Sequence, residues 1–174
     1  MHRRSLKLLG RGLFVMTMAA LPLAGCTTPF LGGASTFGNN QMQVAELSNP
    51  GSYTADTALA EARNHFRNND FGYSAALYKR VVELTPKDPE GYIGLGASYD
   101  QLGRFDLSDR VYASLFQLSG GTAQYYNNVG YSFMLRGNLP SALTNFRKAA
   151  KLDPNNIVVA NNLQMMANAT AARA

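Results

Sequence analysis

Residues 123–156 read AQYYNNVGYSFMLRGNLPSALTNFRKAAKLDPNN, and this stretch decides the fold. Apolar residues recur in it at helical spacing in two runs. Gly137-Asn138 separates the runs, and Asp153-Pro154 ends the second. The spacing predicts an amphipathic helical hairpin. One such hairpin cannot cover its own apolar face, so copies must stack. Sliding the stretch back by 34 residues, and then again, returns the pattern without gaps. The sequence therefore divides into units 55–88, 89–122 and 123–156.

The columns of this register carry physical meaning. Ala62, Gly96 and Gly130 are small, which lets the two helices of a pair cross closely. Asn69, Gly103 and Gly137 fall in the turn between helices, where Gly and Asn accept a left-handed backbone. Phe71, Phe105 and Leu139 follow to pack under the turn. Ser74, Ser108 and Ala142 are small, and Tyr78, Tyr112 and Phe146 are aromatic knobs. Leu84, Leu118 and Leu152 close the second helices, and Pro86 and Pro154 stop helices. Asp70, Asp106 and Asn138 are expected to take up free backbone donors where second helices begin. Pro140 suits a first helical turn. Arg147, Lys148 and Lys151 suit the negative end of a helix dipole. Residues 157–171 repeat the start of a unit and are expected to cover the last apolar face as a capping helix.

The unit 123–156 resembles the tetratricopeptide repeat through Gly130, Gly137, Ala142, Phe146, Ala149 and Pro154. The middle unit keeps Tyr92, Leu95, Gly96, Tyr99 and Gly103, but has Gly120-Gly121 where the pattern has proline, which implies a looser joint to the third unit. The first keeps Ala62, Tyr78 and Pro86, with Glu61 and His65 at positions that are usually apolar. The resemblance implies an all-α fold: a right-handed superhelix of three tetratricopeptide helix pairs plus a C-terminal capping helix, over residues 55–174. It also implies a concave groove lined by the first helix of each pair, a surface for a protein partner. The first unit would contribute Leu59, Arg63 and Phe66, and the second Ile93, Ala97 and Asp100. The third would contribute Asn127, Asn128, Tyr131 and Met134, and the cap Asn161 and Met165. Asparagine can hydrogen-bond an extended peptide, and aromatic and Met side chains add adaptable apolar contact. The family's clamp of lysines and asparagines for a terminal carboxylate is not reproduced, because no lysine lies on this face.

Net charge is +5 and the pI is near 9.5, but Arg3, Arg4, Lys7 and Arg11 all precede residue 26. Beyond residue 25 there remain 12 basic against 11 acidic residues. No basic run tracks a phosphate backbone, so no nucleic-acid partner is expected. Residues 1–12 are basic, residues 13–24 (LFVMTMAALPLA) are apolar, and Gly25-Cys26 follows. This is the order of a secretory signal, and the apolar run is shorter than the roughly 20 residues of a membrane span. Leu23-Ala24-Gly25-Cys26 resembles the lipobox of bacterial lipoproteins. The resemblance implies a signal peptide over 1–25, lipidation of Cys26 and membrane anchoring through several acyl groups. The alternatives are a membrane-spanning helix and an incidental cysteine in a cleaved signal. By resemblance to enteric lipoproteins, where an aspartate after the cysteine favours the inner membrane, Thr27 implies an outer-membrane address facing the periplasm. Residues 26–54 are rich in Gly, Ser, Thr, Asn and Pro and read as a lipidated flexible tether, on which Phe30, Leu31 and Phe37 are the residues that could dock.

There is one cysteine, so no internal disulfide forms. His65 shares a column with Tyr99 and Phe133 and reads as a packed ring rather than a base. No His/Cys cluster has metal spacing. The Gly91, Gly94 and Gly96 run sits inside a helix rather than after a strand. No catalytic residue, metal or cofactor is expected, and the sequence reads as a non-enzymatic binding scaffold. Signal, lipobox, tether, three repeats and the Asn162-Leu163 helix resemble the TadD family of the Flp (tight-adherence) pilus. That resemblance implies binding of a secretin or other pilus subunit during assembly. An adaptor for cell-wall or envelope-maintenance enzymes is the other reading.

Overall fold

The computed structural model describes residues 43–171, which form seven α-helices and a short 3-10 helix. The signal, Cys26, Phe30, Leu31 and Phe37 lie outside the described residues. The helices pair as α1 (Ala55–Arg67) with α2 (Phe71–Leu84), α3 (Pro89–Gln101) with α4 (Phe105–Ser119), and α5 (Ala123–Leu135) with α6 (Leu139–Leu152). A last helix, α7 (Ile157–Ala171), packs on α6. The architecture is all-α, three stacked tetratricopeptide-type helix pairs and a C-terminal helix.

Each inter-helix turn uses the expected column. Asn69, Gly103 and Gly137 have φ of 60°, 68° and 77°, the left-handed region that Gly enters freely and Asn tolerates. Close crossing follows from the small residues. A Cβ on Gly130 would stand 2.8 Å from the Phe146 ring, and one on Gly96 would stand 2.5 Å from Tyr112. Ala62, Ser74, Ser108 and Ala142 are fully buried. Ser74 Oγ donates to the Ala62 carbonyl at 3.0 Å and meets Ser98 Oγ at the same distance, so these buried hydroxyls are satisfied without a gap between helices.

Four residues begin the first helices and share one column. Thr54 accepts from the Thr57 N–H at 3.2 Å, Asp88 from Glu90 at 2.9 Å, Thr122 from Tyr125 at 3.1 Å, and Asn156 from Val158 and Val159 at 3.1 and 3.2 Å. These oxygens satisfy N–H groups that a helix start leaves unpaired. The second helices differ from expectation. Asn138 does cap, accepting from Ser141 at 3.2 Å. Asp70 makes no cap bond, because its carboxylate is drawn to His65 Nδ1 at 2.8 Å. Asp106 lies inside α4, and the cap position in that register is Arg104, whose side chain makes no cap bond.

Two further corrections concern the first unit. Residues 43–54 do not behave as free tether. Val44, Leu47 and Tyr53 pack against the cluster of Ala62, Leu77, Tyr78, Leu95 and Tyr99. The Ala45 N–H donates to the Gly72 carbonyl at 3.2 Å. A Cβ on Gly72 would stand 2.8 Å from the Gln43 carbonyl oxygen, so the glycine admits the strap to α2. His65 is a packed ring as expected, but at the rim rather than in the core. Its side chain is 32% exposed, stacked on Tyr73 and held at the rim by Asp70.

The joint at Gly120-Gly121 is less closely packed than the one before it: α4 touches α5 far less than α2 touches α3. Leu84, Leu118 and Leu152 do end the second helices, but with 37%, 37% and 56% of their surface exposed. Each contributes only part of a buried Leu's roughly 2 kcal/mol.

Candidate functional site

First helices line a groove on one face of the stack. Helical spacing puts Gln124, Asn127, Asn128 and Tyr131 on one side of α5, and Ile93, Ala97, Asp100 and Gln101 on one side of α3. Phe66 closes the α1 end, and Val158 and Asn162 close the α7 end. Tyr78 and Tyr112 reach in from the second helices between the first ones, and the hollow is about 410 Å³. A second hollow of about 560 Å³ runs on toward Pro89, Thr122, Asp153 and Asn156. The two share Ile93, Gln124, Asn127, Asn128 and Val158, so they adjoin along the groove.

The amides are partly organised. Asn162 Nδ2 donates to Asn127 Oδ1 at 2.8 Å, tying α7 to α5 across the groove. Asn127 in turn approaches Asn128 Oδ1 at 3.5 Å, the limit of a hydrogen bond. The Asn128 amide donors and the Gln124 side chain have no partner among the described residues.

Asp100 lies beneath this surface. It is 3% exposed, with Oδ2 accepting from the Tyr112 hydroxyl at 2.8 Å and Oδ1 from Ser132 at 2.6 Å. Burial pushes its carboxyl above the usual carboxylate range, and the Ser108, Ser132 and Tyr112 hydroxyls and the Arg136 charge offset this only in part. The Tyr112 hydroxyl is pushed well up by burial and by the Asp100 charge. Behind Ser132, Arg136 donates to Ser132 Oγ at 2.8 Å and to both Asp109 oxygens at 2.8 and 2.5 Å. It also lies over the Phe105 and Phe133 rings. This network ties α3, α4 and α5 together below the groove floor.

Of the residues expected on the groove, Phe66, Ile93, Ala97, Asp100, Asn127, Asn128 and Tyr131 come together. Leu59 does not, because it packs against the first core cluster. Arg63 is paired with Glu90. Met134 packs against Phe146 and Ala142. Asn161 and Met165 are exposed on a side of α7 that does not line the hollow. Gln124, Val158 and Asn162 are additions to the expected set, although the register holds the signal: Asn162 stands 34 residues after Asn128, and Val158 34 after Gln124. Tyr78 and Tyr112 read as core knobs, yet an edge of each reaches the groove.

Residues 123–156 match the family model for the tetratricopeptide repeat. Over 111 residues the sequence is 26% identical to the small glutamine-rich tetratricopeptide repeat-containing protein 2 of Mycosarcoma maydis, a match covering 63% of this protein and 31% of that one. The match thus spans about a third of that relative's length. The first tetratricopeptide domain of human RPAP3 superposes with a TM-score of 0.59 at 18% identity, over 68% of this protein and 93% of that domain. The Yersinia enterocolitica type III secretion chaperone SycD, in complex with a peptide of the translocator YopD, superposes with a TM-score of 0.54 at 16% identity, over 66% and 93%. The fold is the one tetratricopeptide repeats form, and residues 123–156 are the unit that matches the repeat's family model.

Proposed function

We propose that this protein is a lipid-anchored scaffold that binds a secretin or other subunit of a Flp or type IV-like pilus or secretion apparatus on the periplasmic side of the outer membrane. The observation that carries the reading is the groove, where amides on α5 and α7 flank an apolar floor built from Phe66, Ile93, Ala97 and Tyr131. Such a surface offers a partner segment both donors and acceptors along its backbone, and apolar seats for its side groups. Support for the address comes from the basic start, the apolar run and Cys26. Support for the apparatus comes from the likeness of this arrangement to the TadD family. The SycD–YopD peptide complex shows that this fold serves recognition in a secretion setting in another protein.

Deleting the gene tests the reading. The expected result is loss of secretin multimers from the outer membrane. Normal multimers and normal piliation contradict it, and a defect confined to wall hydrolysis favours an envelope-enzyme adaptor instead. The anchor is checked by labelling with a clickable fatty acid. Label is expected on the wild-type protein and not on Cys26→Ser, and label persisting on the variant removes the lipoprotein assignment.

A further inference from the structure

We propose that the groove selects an uncharged, extended segment from the interior of its partner's sequence, and excludes segments that are acidic or that end in a free carboxylate. The inference rests on the groove being the recognition surface, and it adds the chemistry of what enters. Three observations carry it.

The first is charge. Among the described residues, no Lys, Arg or His lines either hollow, and the acidic residues there are Asp100 and Asp153. A carboxylate entering the groove would lose water and meet no countercharge, a large penalty in a half-enclosed site. Attraction for a cation is weak as well. Both Asp100 oxygens already hold hydroxyl donors, and the carboxyl is buried below the floor, while Asp153 Oδ2 accepts from Asn156 Nδ2 at 2.9 Å.

The second is hydrogen-bonding capacity. An extended segment brings an N–H and a carbonyl at every residue, and each needs a partner when water leaves. The Asn128 amide supplies donors, and Gln124 both donors and an acceptor, that are not engaged among the described residues. The Asn162–Asn127 bond holds the neighbouring amide in one orientation, which lowers the ordering cost of binding.

The third is shape. The two hollows share five lining residues and lie side by side along the groove. A segment laid along both hollows reaches from Phe66 to Asp153, a length that an interior stretch fills without placing a terminus in the groove.

The test uses the full-length protein in detergent micelles and an array of immobilised peptides of about twelve residues, roughly 40 Å when extended. One set is neutral and amidated, one is the same set with free carboxylates, and two carry Glu or Lys substitutions. The expected outcome is that the best neutral, amidated peptides bind about tenfold more tightly than their free-carboxylate and Glu counterparts. Asn128→Ala and the exposed Gln124→Ala should each weaken that binding several-fold to tenfold, as loss of one buried hydrogen-bond partner does, with unchanged thermal melting. Equal or tighter binding of the acidic or free-carboxylate sets overturns the proposal, as does neutral binding indifferent to both substitutions. If no set binds while secretin multimers still depend on the protein, the groove chemistry is refuted and the scaffold role stands. If the neutral set binds as expected while multimers form without the protein, the groove chemistry stands and the pilus role falls.

Discussion

Asp100 sits under the groove with its two oxygens held by Tyr112 and Ser132, and its titration is a handle on the floor. Burial raises the folded-state pKa above the unfolded value. Between those two values the folded protein holds a proton that the unfolded one has lost. The stability from this group is therefore complete below the unfolded pKa and is lost as pH rises through the folded one. Urea denaturation across that window should show wild type gaining stability on acidification relative to Asp100→Asn, which cannot titrate. A wild type that loses stability relative to the variant as pH falls would reverse the sign and contradict the burial argument. The turn column makes a second prediction at this scale. Gly137 has φ of 77° and open space where a Cβ would stand, so Gly137→Ala should cost about 1 kcal/mol through backbone strain alone. Asn69→Gly, at φ 60°, should change stability by no more than a few tenths of a kcal/mol. Equilibrium unfolding of both variants checks the contrast.

At the scale of elements, the strap over residues 43–53 acts as part of the first repeat. Val44, Leu47 and Tyr53 are each partly buried against the α1–α3 cluster, so together they contribute about 2–4 kcal/mol. A protein beginning at Thr54 should lose that amount in denaturant melts relative to one beginning at Gln43, and equal stability of the two would show the strap to be passive. Thr122→Ala should cost about 1 kcal/mol by freeing the Tyr125 N–H. Helices, turns and knobs were legible in the sequence because each unit repeats at one spacing and its contacts are mostly local. The strap was not, because its contacts are tertiary and its composition matches a linker. Nor was the column of Thr54, Asp88, Thr122 and Asn156, since three residue types share one role. Asp106 reads as a cap because an acidic residue near a helix start looks right, yet it stands two positions out of register.

At the scale of the whole molecule, the groove was legible at its centre and not at its ends. Ile93, Ala97, Asn127, Asn128 and Tyr131 have repeat neighbours on both sides, so the register placed them. At the first unit, Leu59 has turned to the core and Arg63 to Glu90. At the last, α7 presents Val158 and Asn162 to the groove and leaves Asn161 and Met165 outside. The end helix is therefore part of the site as well as a lid on the Phe146–Met166 cluster. The central claim is that this groove, and not the outer face, receives an assembly subunit. The most direct measurement places a photo-crosslinking amino acid at Tyr131 in the groove, or at Tyr73, exposed on α2, in full-length protein in living cells. The account predicts an adduct with a secretin or pilus subunit from position 131 and none from position 73. An adduct from 73 alone, or one at 131 with wall hydrolases only, would contradict it.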